Sequence, residues 1–281
     1  MSPPFGGGAS AAEFEDIESQ LAEPVPAGAR VSEGDGFPWW LVVVGVLVVW
    51  MGILILFSDN YRQAFDFIIP RGIWLTVQLT IIAFVASTFF GLLLGLGRLS
   101  KNVVWRTIST TYIEFVRGVP VIVLIFLVAL VIIPQITDLL GVKLTIISLM
   151  VRGIISLTII YAAFIAEVFR AGIQSVSHGQ IEAGQSVGLT DGQIMRKIIL
   201  PQAIRNILPA LGNDLIALFK DTALVSVLAV NEITQLARLY TGSSFRFREG
   251  FLIITFFYLI VTILLSLALR WYERRIAIPE K

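Results

Sequence analysis

The sequence has no cysteine and a single histidine, His178. Without thiols, disulfide frameworks and thiolate metal sites are excluded. With one imidazole, a zinc site or a Ser-His-Asp triad would have to be built around His178 alone. Charge is scarce as well. Asp, Glu, Lys and Arg make up 15% of 281 residues, against about 25% in an ordinary soluble domain. The net charge is +1, and the basic residues are scattered, so no basic stripe marks a nucleic-acid surface. No Gly-x-x-x-x-Gly-Lys-Ser/Thr loop is present to cradle a nucleotide phosphate.

Apolar side chains are what the chain has in excess. They form 56% of the sequence, and the mean hydropathy is +0.85. A soluble chain of this length does not carry so much apolar surface, so the excess is read as lipid-facing. A spanning helix needs about 20 apolar residues. Six runs qualify, at 39–57, 73–97, 108–133, 145–168, 207–230 and 251–269. They lack the period-two alternation of barrel strands. The expected fold is therefore all-α, a polytopic membrane protein with six transmembrane helices. The third run is interrupted by Arg117, Gly118 and Pro120, and the fifth contains charges.

Residues 1–37 differ from the rest. Seven acids face one base, Arg30, in a background rich in Gly, Ala, Pro and Ser. Such a segment cannot bury enough apolar surface to offset its ordering entropy, and the expectation is a disordered acidic tail. Six spans put both termini on one side. Loops on that side hold twelve basic residues and the opposite loops seven, which places both termini in the cytoplasm. Trp39 and Trp40, and Trp271 and Tyr272, sit where interfacial aromatic belts are expected.

Between the fourth and fifth runs lies one long polar stretch, 172–206. Thr190 followed by Asp191 reads as a helix start. Gly188 separates two short amphipathic stretches, and Pro201 ends one helix or opens the next. An element of this kind, held at the membrane surface, can transmit force from a soluble partner.

Here the sequence resembles the permeases of ABC importers. Glu182, Ala183 and Gly184, then Gly188, then Ile198, Leu200 and Pro201 match their cytoplasmic coupling loop, with Gly184 in place of an alanine. Glu114 to Pro120 (EFVRGVP), Phe164 to Gly172 (FIAEVFRAG) and Lys220 to Ser226 (KDTALVS) resemble permeases for polar amino acids of the histidine and glutamine group. The resemblance covers residues from about Gly72 onward.

It implies a five-helix type-I importer core at 72–270 with a coupling loop at 172–206. Outside it lie an extra helix at 38–58, the acidic tail at 1–37 and a C-terminal tail at 271–281. It also implies a transport subunit in a bacterial inner membrane, without catalysis or a cofactor of its own. ATP would be bound by a separate cytoplasmic ATPase dimer. A second permease chain, alike or related, and an extracytoplasmic amino-acid-binding protein complete the implied partners.

Ionisable residues inside a span are costly and suggest function. At 100° per residue, Asp214 and Asp221 fall about 20° apart on the helical wheel. Arg117, Asn213, Asp214, Lys220, Asp221, Thr222 and Ser226 form the candidate substrate path. An arriving zwitterion needs anions or carbonyls for its ammonium, a need that Asp214, Asp221 and Thr222 can serve, and cations or helix N-termini for its carboxylate, a need that Lys220 or Arg117 can serve. The same charges can instead pair structurally, Glu114 with Arg117 and Glu167 with Arg170 at i,i+3. His178 reads as a polar loop residue. Gly91 and Gly95 have the spacing of a close helix contact. An intramembrane enzyme using Asp214 and Asp221, or a channel, stands as the alternative, although two helical turns put those carboxylates about 10 Å apart.

Overall fold

The structure is a computed structural model, and it describes residues 39–276. The acidic segment 1–37 and residues 277–281 lie outside the described residues. The chain divides into two units, Met1–Leu47 and Val48–Lys281. In the first, the described residues form the opening half of α1 (Trp39–Phe57), an uninterrupted apolar helix with both tryptophans exposed.

The second unit carries the rest of α1 and α2 (Asp59–Leu99), α3 (Val103–Gly118), α4 (Val121–Leu139) and α5 (Leu149–Gln174). There follow α6 (His178–Ser186), α7 (Asp191–Ile194), α8 (Leu200–Asp221), α9 (Ile233–Ser244) and α10 (Phe247–Ile276). No strand occurs among the described residues. Among the described residues, five helices are long and apolar enough to cross a membrane, namely α1, α2, α4, α5 and α10.

Two of the six expected runs are built differently. The third is two helices. Val119 is extended (φ −110°, ψ 138°) because a residue before proline is pushed out of the α region, and α4 starts afresh from Pro120. The fifth run stops being α-helical at Asp221. Thr222–Leu228 continues as a 3₁₀ segment and ends at Ala229 in the left-handed region (φ 57°). The helix that follows, α9, is an addition to the sequence reading. Its start is fixed by Glu232, whose carboxylate accepts from the backbone N–H of Thr234 and Gln235 at 2.8 and 2.7 Å.

The second run also begins earlier than expected. From Ser58 as N-cap and Asp59 in the first turn, α2 runs for 41 residues through Pro70. Its first half packs on α9 and α10 through Tyr61, Ala64, Ile68 and Ile69. Its second half packs on α5. In lipid, apolar contact alone gives little net drive, and close packing of small residues replaces it. Gly91 and Gly95 confirm that expectation. A Cβ on Gly91 would lie 2.7 Å from Ile165 Cγ2, and one on Gly95 2.8 Å from the Ala166 carbonyl oxygen. Hydroxyls are satisfied within their own helices, as with Thr76 to the Gly72 carbonyl, Thr80 to Thr76 and Thr262 to Tyr258. Such bonds let polar side chains sit where no water reaches.

Candidate functional site: a loop hairpin and a polar seam

The residues singled out in the loop fall on one hairpin. Glu182, Ala183 and Gly184 lie on α6. Gly188 follows it at φ +80°. Its N–H donates to the Gln185 carbonyl at 2.9 Å, and the Leu189 N–H donates to the Gly184 carbonyl at 3.1 Å. That pair of bonds is a Schellman cap, which needs a residue in the left-handed region. Thr190 then opens α7 with a reciprocal capping box to Gln193. A π-helical turn, Met195–Ile199, joins α7 to α8. Pro201 stands in the first turn of α8, so it opens that helix.

Gly184 is buried against the far helix. A Cβ there would lie 2.8 Å from Ile198 Cδ1 and 3.2 Å from Ile194 Cγ1. Ile194, Ile199, Ala203 and Ile207 form a small core with Val176, against which Ile198 packs. Gln202 donates to the Gln180 side-chain oxygen at 2.6 Å, closing the hairpin on its polar side. Glu182, Ala183 and Pro201 are exposed, and Val187 and Leu200 are exposed at 76% and 43%. The hairpin therefore holds an inner apolar seam and presents an outer face with apolar points. His178 is the first residue of α6 and is exposed, rather than in a loop.

The candidate path residues divide. Arg117, Asn206 and Asp214 line a cavity of about 490 Å³ between α5 and α8, with Phe164, Glu167 and Ala210. Asp214 Oδ2 is buried and has no hydrogen-bond partner among the described residues. Arg117 is exposed and makes no ion pair among the described residues. Asp221 is half-buried on the same face of α8, and its Oδ2 accepts from Tyr161 Oη at 2.8 Å. Asn213 and Lys220 are exposed on another face. Thr222 is fully buried with its hydroxyl committed to the Phe219 carbonyl at 2.7 Å. Ser226 is buried in the 3₁₀ segment. The cavity brings Arg117 and Asp214 together and leaves Asn213, Lys220, Thr222 and Ser226 away from its lining.

The expected Glu114–Arg117 pair is replaced by a wider one. Arg98, at the end of α2, donates to Glu114 on α3 at 2.8 Å and to Glu167 on α5 at 2.9 Å. Glu167 also pairs with Arg170, as the i,i+3 spacing predicts, and Arg170 bonds Gln174. The reason is reach. A planar, forked guanidinium bridges two carboxylates, and the short link between α2 and α3 folds Arg98 back over both helices. Tyr161 and Arg98 were not among the residues singled out. A tyrosine and an arginine facing carboxylates across helices leave no mark in local spacing. A shared-proton carboxylate dyad is not formed, since Asp221 is bonded to Tyr161 and no bond joins it to Asp214.

Comparison with known proteins agrees with this architecture. Residues 87–278 match the family model described as binding-protein-dependent transport system inner membrane component. The chain is 37% identical to the Probable amino-acid permease protein YxeN of Bacillus subtilis, over 74% of this chain and 90% of that protein. It is 34% identical to the histidine/lysine/arginine/ornithine transport system permease protein HisQ of Escherichia coli, over 77% of this chain and 96% of that protein. A solved amino acid ABC transporter with histidines aligns at a TM-score of 0.69 and 34% identity, covering 79% of this chain and 98% of that one.

Proposed function

Because the chain belongs to the family of inner membrane components of binding-protein-dependent transport systems, we propose that it is the permease subunit of an ATP-driven importer of a polar amino acid. It is a multi-pass membrane transport subunit and not an enzyme. One observation carries the coupling half of the reading, the α6–α8 hairpin. Its two arms are locked to each other by Gly184, Ile194 and Ile198, it is joined to α5 and α8 by Val176, Ile199, Ala203 and Ile207, and its outer face is exposed.

In this reading the outer face seats in a cytoplasmic ATPase, which binds the ATP that this chain has no loop to hold. Glu182, Ala183, Val187 and Leu200 supply the contact. With α8 counted as a sixth span, the positive-inside bias puts the α6 end and both termini in the cytoplasm. Closure of the ATPase dimer moves the hairpin, and the hairpin moves α8, with which it is continuous. The bundle then exchanges between two access states whose populations the partners bias. A second permease chain and an extracytoplasmic binding protein complete the assembly.

The cavity between α5 and α8 holds the substrate in this reading. The buried, unpartnered oxygen of Asp214 accepts the ammonium of a zwitterion, and Arg117 takes its carboxylate.

Gentle extraction of the tagged chain from its native membrane, followed by mass spectrometry, tests the assembly. Recovery of a subunit with a phosphate-binding loop is the expected result, and a second permease beside it identifies a heterodimer. Repeated recovery of this chain alone would overturn the ATPase-coupled reading.

A further inference from the structure

Tyr161 sits near the middle of α5 with 3% of its surface exposed, and its hydroxyl donates to Asp221 Oδ2 at 2.8 Å. This bond crosses the α5–α8 seam that also forms the cavity. Phe164, in the cavity wall, lies one turn from Tyr161 along α5. Asp214 lies two turns from Asp221 along α8. The bridge therefore stands just beyond the cavity, at the end away from α6.

Asp221 ends α8, and the backbone changes there to a 3₁₀ segment. No neighbouring group on α8 hydrogen-bonds its carboxylate among the described residues. Thr222 spends its hydroxyl on the Phe219 carbonyl, and Lys220 is exposed on a different face. Tyr161 is the one hydrogen-bond donor to the Asp221 side chain among the described residues. The Tyr161 ring is itself packed, 5.8 Å from that of Phe164. An ionised carboxylate has about four acceptor positions, and one neutral phenol occupies only one of them. A cationic donor bonds such an oxygen roughly twice as strongly as a neutral one.

We infer that Tyr161 is a positioning residue of the translocation path, holding Oδ2 of Asp221 so that Oδ1 is left to accept a substrate ammonium beyond the cavity. The inference rests on the substrate-path reading above. Tyr161 touches no substrate in this account and acts through Asp221 alone.

The test uses the full-length chain purified with its co-extracting subunits in lipid nanodiscs. Binding of radiolabelled L-histidine, L-arginine and L-glutamine is measured for the wild type, Tyr161→Phe, Asp221→Asn and the double variant. Tyr161→Phe keeps the ring and removes the hydroxyl. It is expected to weaken binding of the recognised amino acid about tenfold, which corresponds to about 1.4 kcal/mol. Asp221→Asn is expected to weaken it at least as much, and the double variant no further, because both substitutions remove one shared function. Additive losses, an unchanged Tyr161→Phe protein, or one that no longer holds its subunits would overturn the positioning role. Wild-type affinity in Asp221→Asn, or no binding of any of the three probes to the wild type, would instead overturn the path reading beneath it.

Discussion

Replacing Gly188 separates backbone geometry from every other effect at the hairpin. Its φ is +80°, and a Cβ built there meets nothing within 4 Å. Any loss on substitution is therefore conformational and not steric crowding. Forcing an L-residue into the left-handed region costs roughly 1–2 kcal/mol. Asparagine visits that region more readily, and a β-branched residue there is an outlier. The expected order of hairpin stability is Gly, then Asn, then Ala, then Val.

The consequence follows from population. If only the capped hairpin binds the ATPase, its apparent affinity falls in proportion to the capped fraction. A loss of 1–2 kcal/mol lowers the ratio of capped to uncapped hairpin about 5–30-fold, so Gly188→Ala should weaken the affinity by up to that factor, and Gly188→Val by more. Titrating the ATPase subunit against each variant in nanodiscs, with substrate-stimulated ATP hydrolysis as readout, gives the affinities directly. Membrane insertion should be unaffected. Equal affinity for Gly188→Val and the wild type, or equal impairment by Asn and Val, would refute the reasoning.

Further expectations follow from the same contacts. Gly95→Ala pushes a methyl to 2.8 Å from the Ala166 carbonyl, a backbone atom that cannot swing away. It should cost about 1–3 kcal/mol, read as a lower unfolding temperature in detergent. Gly184→Ala meets the Cδ1 tip of Ile198 at 2.8 Å and Cγ1 of Ile194 at 3.2 Å, side-chain atoms that can shift, so a loss of less than about 1 kcal/mol is expected by the same measurement. Arg98→Ala removes one part-buried ion pair, to Glu167, and one exposed pair, to Glu114, and should cost about 1 kcal/mol after allowance for solvent screening, whereas Arg98→Lys, with one point charge, should recover only part of it. Asp214→Asn should lower uptake at least tenfold in proteoliposomes of the intact assembly, and unchanged uptake would remove Asp214 from the path.

The sequence made the apolar runs and the hairpin legible because both depend on local chemistry. Hydropathy marks α1, α4, α5 and α10, and Thr190, Gly188 and Pro201 carry their caps and breaks in their own side chains or in the lack of one. The Gly91–Gly95 contact was equally plain, since small residues four apart share a helix face. What stayed hidden depends on distance in sequence. Arg98 reaches Glu167 across 69 residues, and Tyr161 reaches Asp221 across 60. The helix α9 was missed for a different reason. Its apolar residues Ile233, Leu236, Ala237 and Tyr240 have helical spacing, but its N-cap is a glutamate, an unusual choice, and it lies where a connecting loop was expected.

The length of α2 has a mechanical consequence. At 1.5 Å per residue, its 41 residues make a rod of about 60 Å, twice the ~30 Å hydrocarbon thickness. It is clamped about a third of the way along by Gly72 against Ile233 of α9, and at its far end by Arg98 between α3 and α5. The stretch between the two clamps, about 39 Å long, acts as a lever. Tilting it by about 5° about the Gly72 clamp displaces the Arg98 end by roughly 3 Å, about two residues of helical rise. A small rotation in the α9–α10 cluster would therefore arrive at the Arg98 clasp as a shift large enough to exchange one carboxylate partner for another.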